Sequence, residues 1–226
     1  MLVKIFSGVS LGLGSQLVEV EVDVSNGFPT FEIIGLGDKS IEEAKERVKL
    51  AIKNSGLQFP SQKRIIVNLA PADLKKEGPI FDLPIALGIL LASEKISLDL
   101  FPKNYLFAGE LSLNGELRHS KGILPLVCLA QEKNLAGIFL PLANLQEANL
   151  VRGLKIIPLT SLKSLLAHLS QAQPIEEVIG QGAQIEHQVS FEIDFSMIQG
   201  QEQAKRALEI VAAGSHNLLM ACSQCY

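Results

Sequence analysis

An α+β fold, with helices packed on a mixed sheet, is predicted by three features of this chain. Val18, Val20, Val22 and Val24 alternate with Glu19, Glu21 and Asp23, which is the two-residue period of a half-buried strand. Residues 83–91 carry only apolar or small side chains, so a helix there has no face for water and belongs inside a core. From Lys63 onward, short apolar runs alternate with longer segments of helical period, the pattern of helices laid against a sheet. The apolar run at 83–91 is far shorter than the roughly 20 residues that span a bilayer, so no membrane partner is expected.

The elements follow in order. Residues 2–36 read as an antiparallel meander, with turns at Gly12-Leu13-Gly14 and Asn26-Gly27-Phe28-Pro29 and a further strand over Thr30–Ile34. Gly35-Leu36-Gly37-Asp38 then leads into a helix. It lacks the third glycine and the Lys-Ser/Thr ending of a phosphate loop, and reads as a turn and cap. In that helix Ser40 and Glu43 are spaced as a capping box, and Ile41, Ala44, Val48 and Ala51 share one face. Glu43 and Arg47 pair at i,i+4, and Gly56 closes the helix at C′.

A strand over 63–69 and a loop over 71–77 precede the apolar helix, for which Asp82 serves as N-cap and Pro84 is tolerated in the first turn. Strands are predicted at 105–110 and 111–117, then a helix at 123–134, a strand at 137–140, a helix at 144–151, a strand at 154–158 and a helix at 161–170. Residues 171–193 are polar, contain glycine and show little period, as in a linker. A new helix begins over 194–201, carries Ala204, Leu208, Val211 and Ala212 on one side, and ends at Gly214; residues 216–220 begin a buried strand. The domain reading is therefore 1–170, a linker at 171–193, and the start of a second domain at 194–226.

Bulk properties exclude several classes. A net charge of −4 and a pI near 5.6 give no global attraction to nucleic acid, so any such contact needs a local patch. Three cysteines, Cys128, Cys222 and Cys225, make no disulfide framework. The first residues show no basic segment followed by a long apolar run, and a cytoplasmic location is expected.

Three blocks taken together resemble one family, the Mg-chelatase-like AAA+ ATPases of the ComM/YifB type. The first is the N-terminal strand region with Gly35-Leu36-Gly37-Asp38 and the charged helix after it. The second is Asn68-Leu69-Ala70-Pro71-Ala72-Asp73, then Lys76-Glu77-Gly78 and Phe81-Asp82-Leu83-Pro84-Ile85-Ala86. The third is Gly200-Gln201-Glu202-Gln203-Ala204-Lys205-Arg206-Ala207-Leu208-Glu209, then Gly214 and His216-Asn217-Leu218-Leu219-Met220. The resemblance implies that residues 1–170 form an N-terminal domain similar in fold to the proteolytic domain of Lon. It implies that residues from 194 open an AAA+ module, which in full-length members uses ATP and Mg, assembles as a homo-oligomeric ring and acts on DNA as a helicase or branch-migration factor in natural transformation.

The chain departs from the family after Met220. There the family continues with a Gly-Pro-Pro-Gly-x-Gly-Lys-Thr/Ser phosphate loop, whereas this sequence reads Ala221-Cys222-Ser223-Gln224-Cys225-Tyr226. The expectation is an incomplete AAA+ α/β stub, truncated before its phosphate loop, with no ATP or Mg bound by these 226 residues.

The resemblance also directs attention to candidate sites. Lon-type peptidases use a Ser–Lys dyad. Aligning Gly78-Pro79 puts Ile80 at the serine position, aligning the helix puts Asp82 there, and Lys121-Gly122-Ile123-Leu124 puts Leu124 at the lysine position. No catalytic residue is expected, because covalent catalysis needs a nucleophile beside its base; a relocated Ser120/Lys121 dyad is the disfavoured alternative. Lys75, Lys76, Arg118 and Lys121, with His119, lie on loops able to share one rim and are candidate phosphate contacts, although Asp73 and Glu77 are interleaved with them. Ile198 and Gly200 match the segment beside adenine in AAA+ modules. Cys222 and Cys225 have the spacing of half a zinc site, and without a second ligand pair no metal is expected.

Overall fold

The structure, a computed structural model, describes residues 1–12, 14–35, 39–97, 99, 101–182 and 194–221. It divides into two compact units, Met1–Gln184 and Ile185–Tyr226.

The first unit is built on an antiparallel pair. β1 (Leu2–Leu11) and β2 (Gly14–Ser25) are in register from Leu2↔Asp23 to Leu11↔Gly14. Val18, Val20, Val22 and Val24 of β2 are all buried, as their alternation requires. The rest of the expected meander does not form. β4 (Arg64–Ala70) pairs antiparallel with β2, and β3 (Thr30–Ile34) lies beyond it, parallel to β4. The reason is α1 (Lys39–Asn54), whose length supplies the crossover that a parallel pair needs. Its face of Ile41, Ala44, Val48 and Ala51 is buried, and Gly56 follows it at φ 83°. The Ser40 side chain, and with it the predicted capping box, lies outside the described residues.

On the other side of β1 the sheet continues with β5 (Tyr105–Phe107), β8 (Gly137–Pro141) and β9 (Lys155–Leu159), all parallel. The full order is β10-β9-β8-β5-β1-β2-β4-β3, a mixed sheet whose last edge strand, β10 (Val178–Ile179), runs antiparallel to β9. Residues 105–117 are not two strands. β5 ends at Phe107, and a separate hairpin of β6 (Glu110–Leu111) and β7 (Leu117–Arg118) turns through Gly115 at φ 85°. The predicted helix at 144–151 shortens to a 3-10 turn and α4 (Leu145–Ala148), after α3 (Ile123–Glu132). α5 (Leu162–Leu169) is capped by Ser161, whose hydroxyl accepts the Ser164 N–H at 3.1 Å.

At the centre lies α2 (Asp82–Ala92), every residue of which is buried. It packs on β1, β2 and α1. A β-carbon on Gly88 would stand 2.5 Å from Val22 Cγ2, so a side chain here would push the helix off the sheet. Asp82 is not the cap that the sequence suggests. The cap position is Phe81, which makes no side-chain bond, and Asp82 is the first helical residue. The 3-10 turn Pro79–Phe81 already brings the chain in helically, so the carboxylate faces inward.

Residues 171–182, read as linker, instead include β10 and belong to the first unit; the Gly180 N–H donates to the Leu154 carbonyl at 3.0 Å, and Val178 packs on the core. In the second unit, Asp194 accepts the Ser196 N–H at 2.8 Å and caps a 3-10 turn over Phe195–Met197. Gly200 and Gln201 at positive φ separate that turn from α6 (Glu202–Gly214). Residues 216–220 are not a strand, and Leu219 is 93% exposed. A strand is stable only when its backbone groups are paired, and the described residues of this unit contain no other strand. Among the described residues no helix is long and apolar enough to cross a membrane.

Ile89 is wholly buried, so Ile89→Asp places an unpaired charge in the core and should abolish cooperative unfolding by circular dichroism. Gly88→Val should lower stability by about 1–3 kcal/mol through overpacking, read as a lower urea midpoint.

Candidate functional site

The segment before α2 forms one wall of a groove of about 530 Å³. Glu77, Gly78, Pro79 and Ile80 line that wall; the end of β1 (Val9 and Ser10), Glu110 of the hairpin, and His119, Ser120 and Lys121 just after it complete the groove. Gly78 turns at φ 84°, a conformation that glycine adopts without strain. Two backbone bonds fix the turn to the hairpin: Gly109 N–H to the Ile80 carbonyl at 2.9 Å, and Leu83 N–H to the Gly109 carbonyl at 3.1 Å. Ile80, one of the two positions at which the resemblance would place serine, is 8% exposed and presents a hydrocarbon side chain.

The relocated dyad does not assemble. The buried Ser120 hydroxyl accepts the Glu110 N–H at 3.1 Å and donates to the Arg118 carbonyl at 3.3 Å. Its backbone exchanges two bonds with the buried Asn144 side chain, at 3.0 and 2.8 Å. Ser120 thus ties the hairpin together, and among the described residues no hydrogen bond joins it to Lys121. Leu124, half-buried at the first turn of α3, donates its N–H to Glu147 Oε1 at 2.9 Å.

Beneath the groove sits a buried ion pair that the sequence reading missed. Arg47 Nε and a terminal guanidinium nitrogen donate to the two oxygens of Asp82 at 2.8 and 3.1 Å, and the Leu111 N–H donates to the same carboxylate at 3.2 Å. The forked geometry joins α1, α2 and β6 at one point. Arg47 also meets Glu43 at 3.6 Å, the surface pair that the spacing predicts. The readable signal was Asp82 itself, because a carboxylate heading an otherwise apolar helix requires a cation. Burial pushes the Asp82 carboxyl up to about 6, against the opposing pull of Arg47 and the Leu111 N–H.

The four predicted phosphate contacts do not form a patch. Lys76 is wholly buried, its ammonium donating to the Pro71 carbonyl, and burial lowers its pKa. Lys75 pairs with Glu77 at 2.5 Å and Arg118 with Glu110 at 3.8 Å. Lys121 is exposed on the rim and has no ion-pair partner among the described residues. His119 Nε2 faces Glu147 at 3.8 Å. In the second unit, Ile198 is 41% exposed and Gly200 sits at φ 69°. Cys222 and Cys225 lie outside the described residues, and among those described no three His, Cys, Asp or Glu side chains cluster as metal ligands.

Known proteins match this chain over most of its length. It is 40% identical to competence protein ComM of Haemophilus influenzae over 217 residues, 95% of this chain and 42% of that protein. It is 38% identical to the YifB protein of Escherichia coli over 213 residues, 93% of this chain and 40% of that one. The family model for subunit ChlI of Mg-chelatase matches residues 20–144, more than half of the chain, and a second ChlI model matches residues 194–225. The chain belongs to the Mg-chelatase-like family of the ComM/YifB type. It spans about two fifths of the length of these relatives. A more distant similarity, 27% identity over 180 residues, links this family member to Lon protease 2 of Bacillus subtilis and covers 72% of the chain.

Removing one member of the Asp82–Arg47 pair leaves the other charge buried. Arg47→Met should therefore cost about 3–5 kcal/mol in chemical denaturation. The pH dependence has a definite sign. Because the folded-state pKa of Asp82, about 6, exceeds the ordinary carboxyl value of 3.8, folding takes up a proton between those values. Wild-type stability relative to Asp82→Asn should be greatest below about pH 4, fall through pH 6, and stay flat above it. The change should be of the order of 3 kcal/mol in paired denaturation curves.

Proposed function

We propose that residues 1 to about 170, extended by the β10 segment, are the non-catalytic, Lon-like interaction module of a cytoplasmic AAA+ ATPase, and that residues from 194 open its motor. In this reading the full-length protein forms a homo-oligomeric ring, uses ATP and Mg in the motor, and acts on DNA as a helicase or branch-migration factor. The observation that carries the non-catalytic reading is that neither position the resemblance offers for the nucleophile holds one: Ile80 is a buried hydrocarbon in the groove wall, and Asp82 is a carboxylate bound to Arg47. Leu124 in place of the base, and a Ser120 hydroxyl occupied within its hairpin, support the same conclusion. The motor half is supported by the ChlI match over residues 194–225, and the DNA-directed half by likeness to a relative named as a competence protein.

ATP affinity in such motors comes from a glycine-rich loop and a lysine aimed at the phosphates. Residues 221–226 supply neither, and Ile198 and Gly200 are left as adenine-side contacts only. The Ser–Lys peptidase reading has no comparable support.

The test joins residues 1–220 to the motor of the Haemophilus relative and compares the fusion with the 226-residue chain. The fusion should hydrolyse ATP faster when DNA is added. The chain alone should show no calorimetric ATP binding at millimolar nucleotide and no cleavage of unfolded protein substrates. Peptide cleavage abolished by Ser120→Ala or Lys121→Ala, or ATP hydrolysis by the chain alone, overturns the proposal.

A further inference from the structure

The opposite end of α2 from the Ile80 groove carries a different kind of surface. Two hollows, of about 700 and 200 Å³, meet there on the turn that joins α1 to β4, sharing Phe59, Pro60, Ser61 and Lys63. The larger reaches the C-terminal end of α2 and the start of β1; the smaller runs along α1 to Pro29 and Phe31. Both therefore lie in the first unit, one helix length from the groove described above.

Their charge is one-sided. Lys45, Lys53, Lys63 and Lys95 line the hollows, and among the described residues none of these four has an ion-pair partner. Lys63 donates only to the neutral Asn26 side-chain oxygen. Lys49 is matched by Glu46 at 3.4 Å, and the N-terminal ammonium by Asp23 at 3.4 Å. Against the four unmatched lysines stands Glu94 alone, a surplus of three positive charges on a chain whose net charge is −4. Near the Ile80 groove, by contrast, Lys75 and Arg118 are paired with acids, Lys76 is buried, and Lys121 is the one lining cation, beside Glu77 and Glu110.

Aromatic surface is interleaved with these cations. Phe31 and Phe59 pack with ring centroids 5.8 Å apart, both half-buried, so one part of each remains open to the hollows. Phe28, immediately before Pro29, is 84% exposed and contributes little to the core. A large aromatic held out in water between Asn26, which Lys63 contacts, and Pro29, which lines the smaller hollow, suits a ligand with both flat apolar faces and regularly spaced negative charge.

We propose that these joined hollows are a binding groove for single-stranded nucleic acid, with Lys45, Lys53, Lys63 and Lys95 on phosphates and Phe28 and the Phe59 turn on bases. Single-strand binding combines a cationic track with aromatic stacking platforms, and both are present here. The unpaired strand is favoured over a duplex because bases reach an aromatic face only when unstacked. The inference deepens the DNA-directed reading above and rests on it for the identity of the polyanion. It places that contact on the Lon-like module.

The experiment is fluorescence anisotropy of the full 226-residue chain with a labelled 20-nucleotide oligo-dT, across a salt series. Four phosphate contacts predict a log–log salt slope of about −3 for a single strand. Lys53→Glu/Lys63→Glu/Lys95→Glu, all exposed positions, should weaken binding more than tenfold and flatten the slope. Phe28→Ala should weaken binding severalfold and leave the slope unchanged. Lys75→Ala/Lys121→Ala, at and beside the other groove, should leave binding unaltered. No anisotropy change at low salt, binding insensitive to the triple substitution, or equal displacement by polyglutamate overturns the proposal; the last outcome would mark a site for acidic protein. Failure of the motor assignment shows separately, as a fusion without DNA-stimulated ATP hydrolysis whatever the oligonucleotide result.

Discussion

The Asp82–Arg47 pair is the constraint on which the first unit depends. α2 is apolar on all sides and buried along its whole length, so it has no solvent-facing stripe to fix its rotation or its depth. Hydrophobic burial is non-directional and does not choose between one orientation of such a helix and another. A forked guanidinium–carboxylate contact does choose, because its hydrogen bonds hold only over a narrow range of angle and distance. Placed at the first residue of α2 and reaching both α1 and the Leu111 N–H of β6, it sets where the helix begins relative to three elements. The energetic cost of burying two charges is offset only while all these contacts are made.

Further along the same helix the constraint is steric. Gly88 lets α2 approach β2 so closely that a β-carbon would stand 2.5 Å from Val22. The valine alternation that makes β2 recognisable as a strand therefore also supplies the surface against which α2 is seated. One contact sets register and the other sets distance. Together they hold the Gly78–Ile80 wall, and with it the groove, at a fixed height above the sheet.

Much of this was legible in the sequence, for reasons tied to particular residues. The alternation at Val18–Val24, the apolar run of α2 and the Ser161 start of α5 are local signals, and each marks its element correctly. What failed were long-range pairings. Nothing local in Thr30–Ile34 shows that its neighbour is β4 rather than β2; that follows from α1 acting as a crossover. The β10 strand was hidden because a two-residue edge strand in a polar stretch leaves almost no periodic trace. Of the candidate site, the absence of serine at Ile80 was readable. The burial of Lys76 was not, because a lysine in a charged loop reads as solvated unless the fold closes over it.

The distribution of charge follows from the same geometry. Around the Ile80 groove, cations and acids come from neighbouring loop positions, Lys75 beside Glu77 and Arg118 across a hairpin from Glu110, and they neutralise each other. At the far end of α2 the lysines come from separate elements: Lys45 and Lys53 from α1, Lys63 from the turn before β4, and Lys95 from just beyond α2. Lys45 and Lys95 have acids beside them in sequence, whereas Lys53 and Lys63 fall within residues 47–72, a stretch with no Asp or Glu. Folding adds Lys45 and Lys95 to the cations of that stretch around shared hollows, where Glu46 is taken up by Lys49 and Glu94 stands against the rest. An acidic chain thus acquires a basic surface from an acid-free stretch and from topology together, and net charge is the wrong scale on which to judge what it binds.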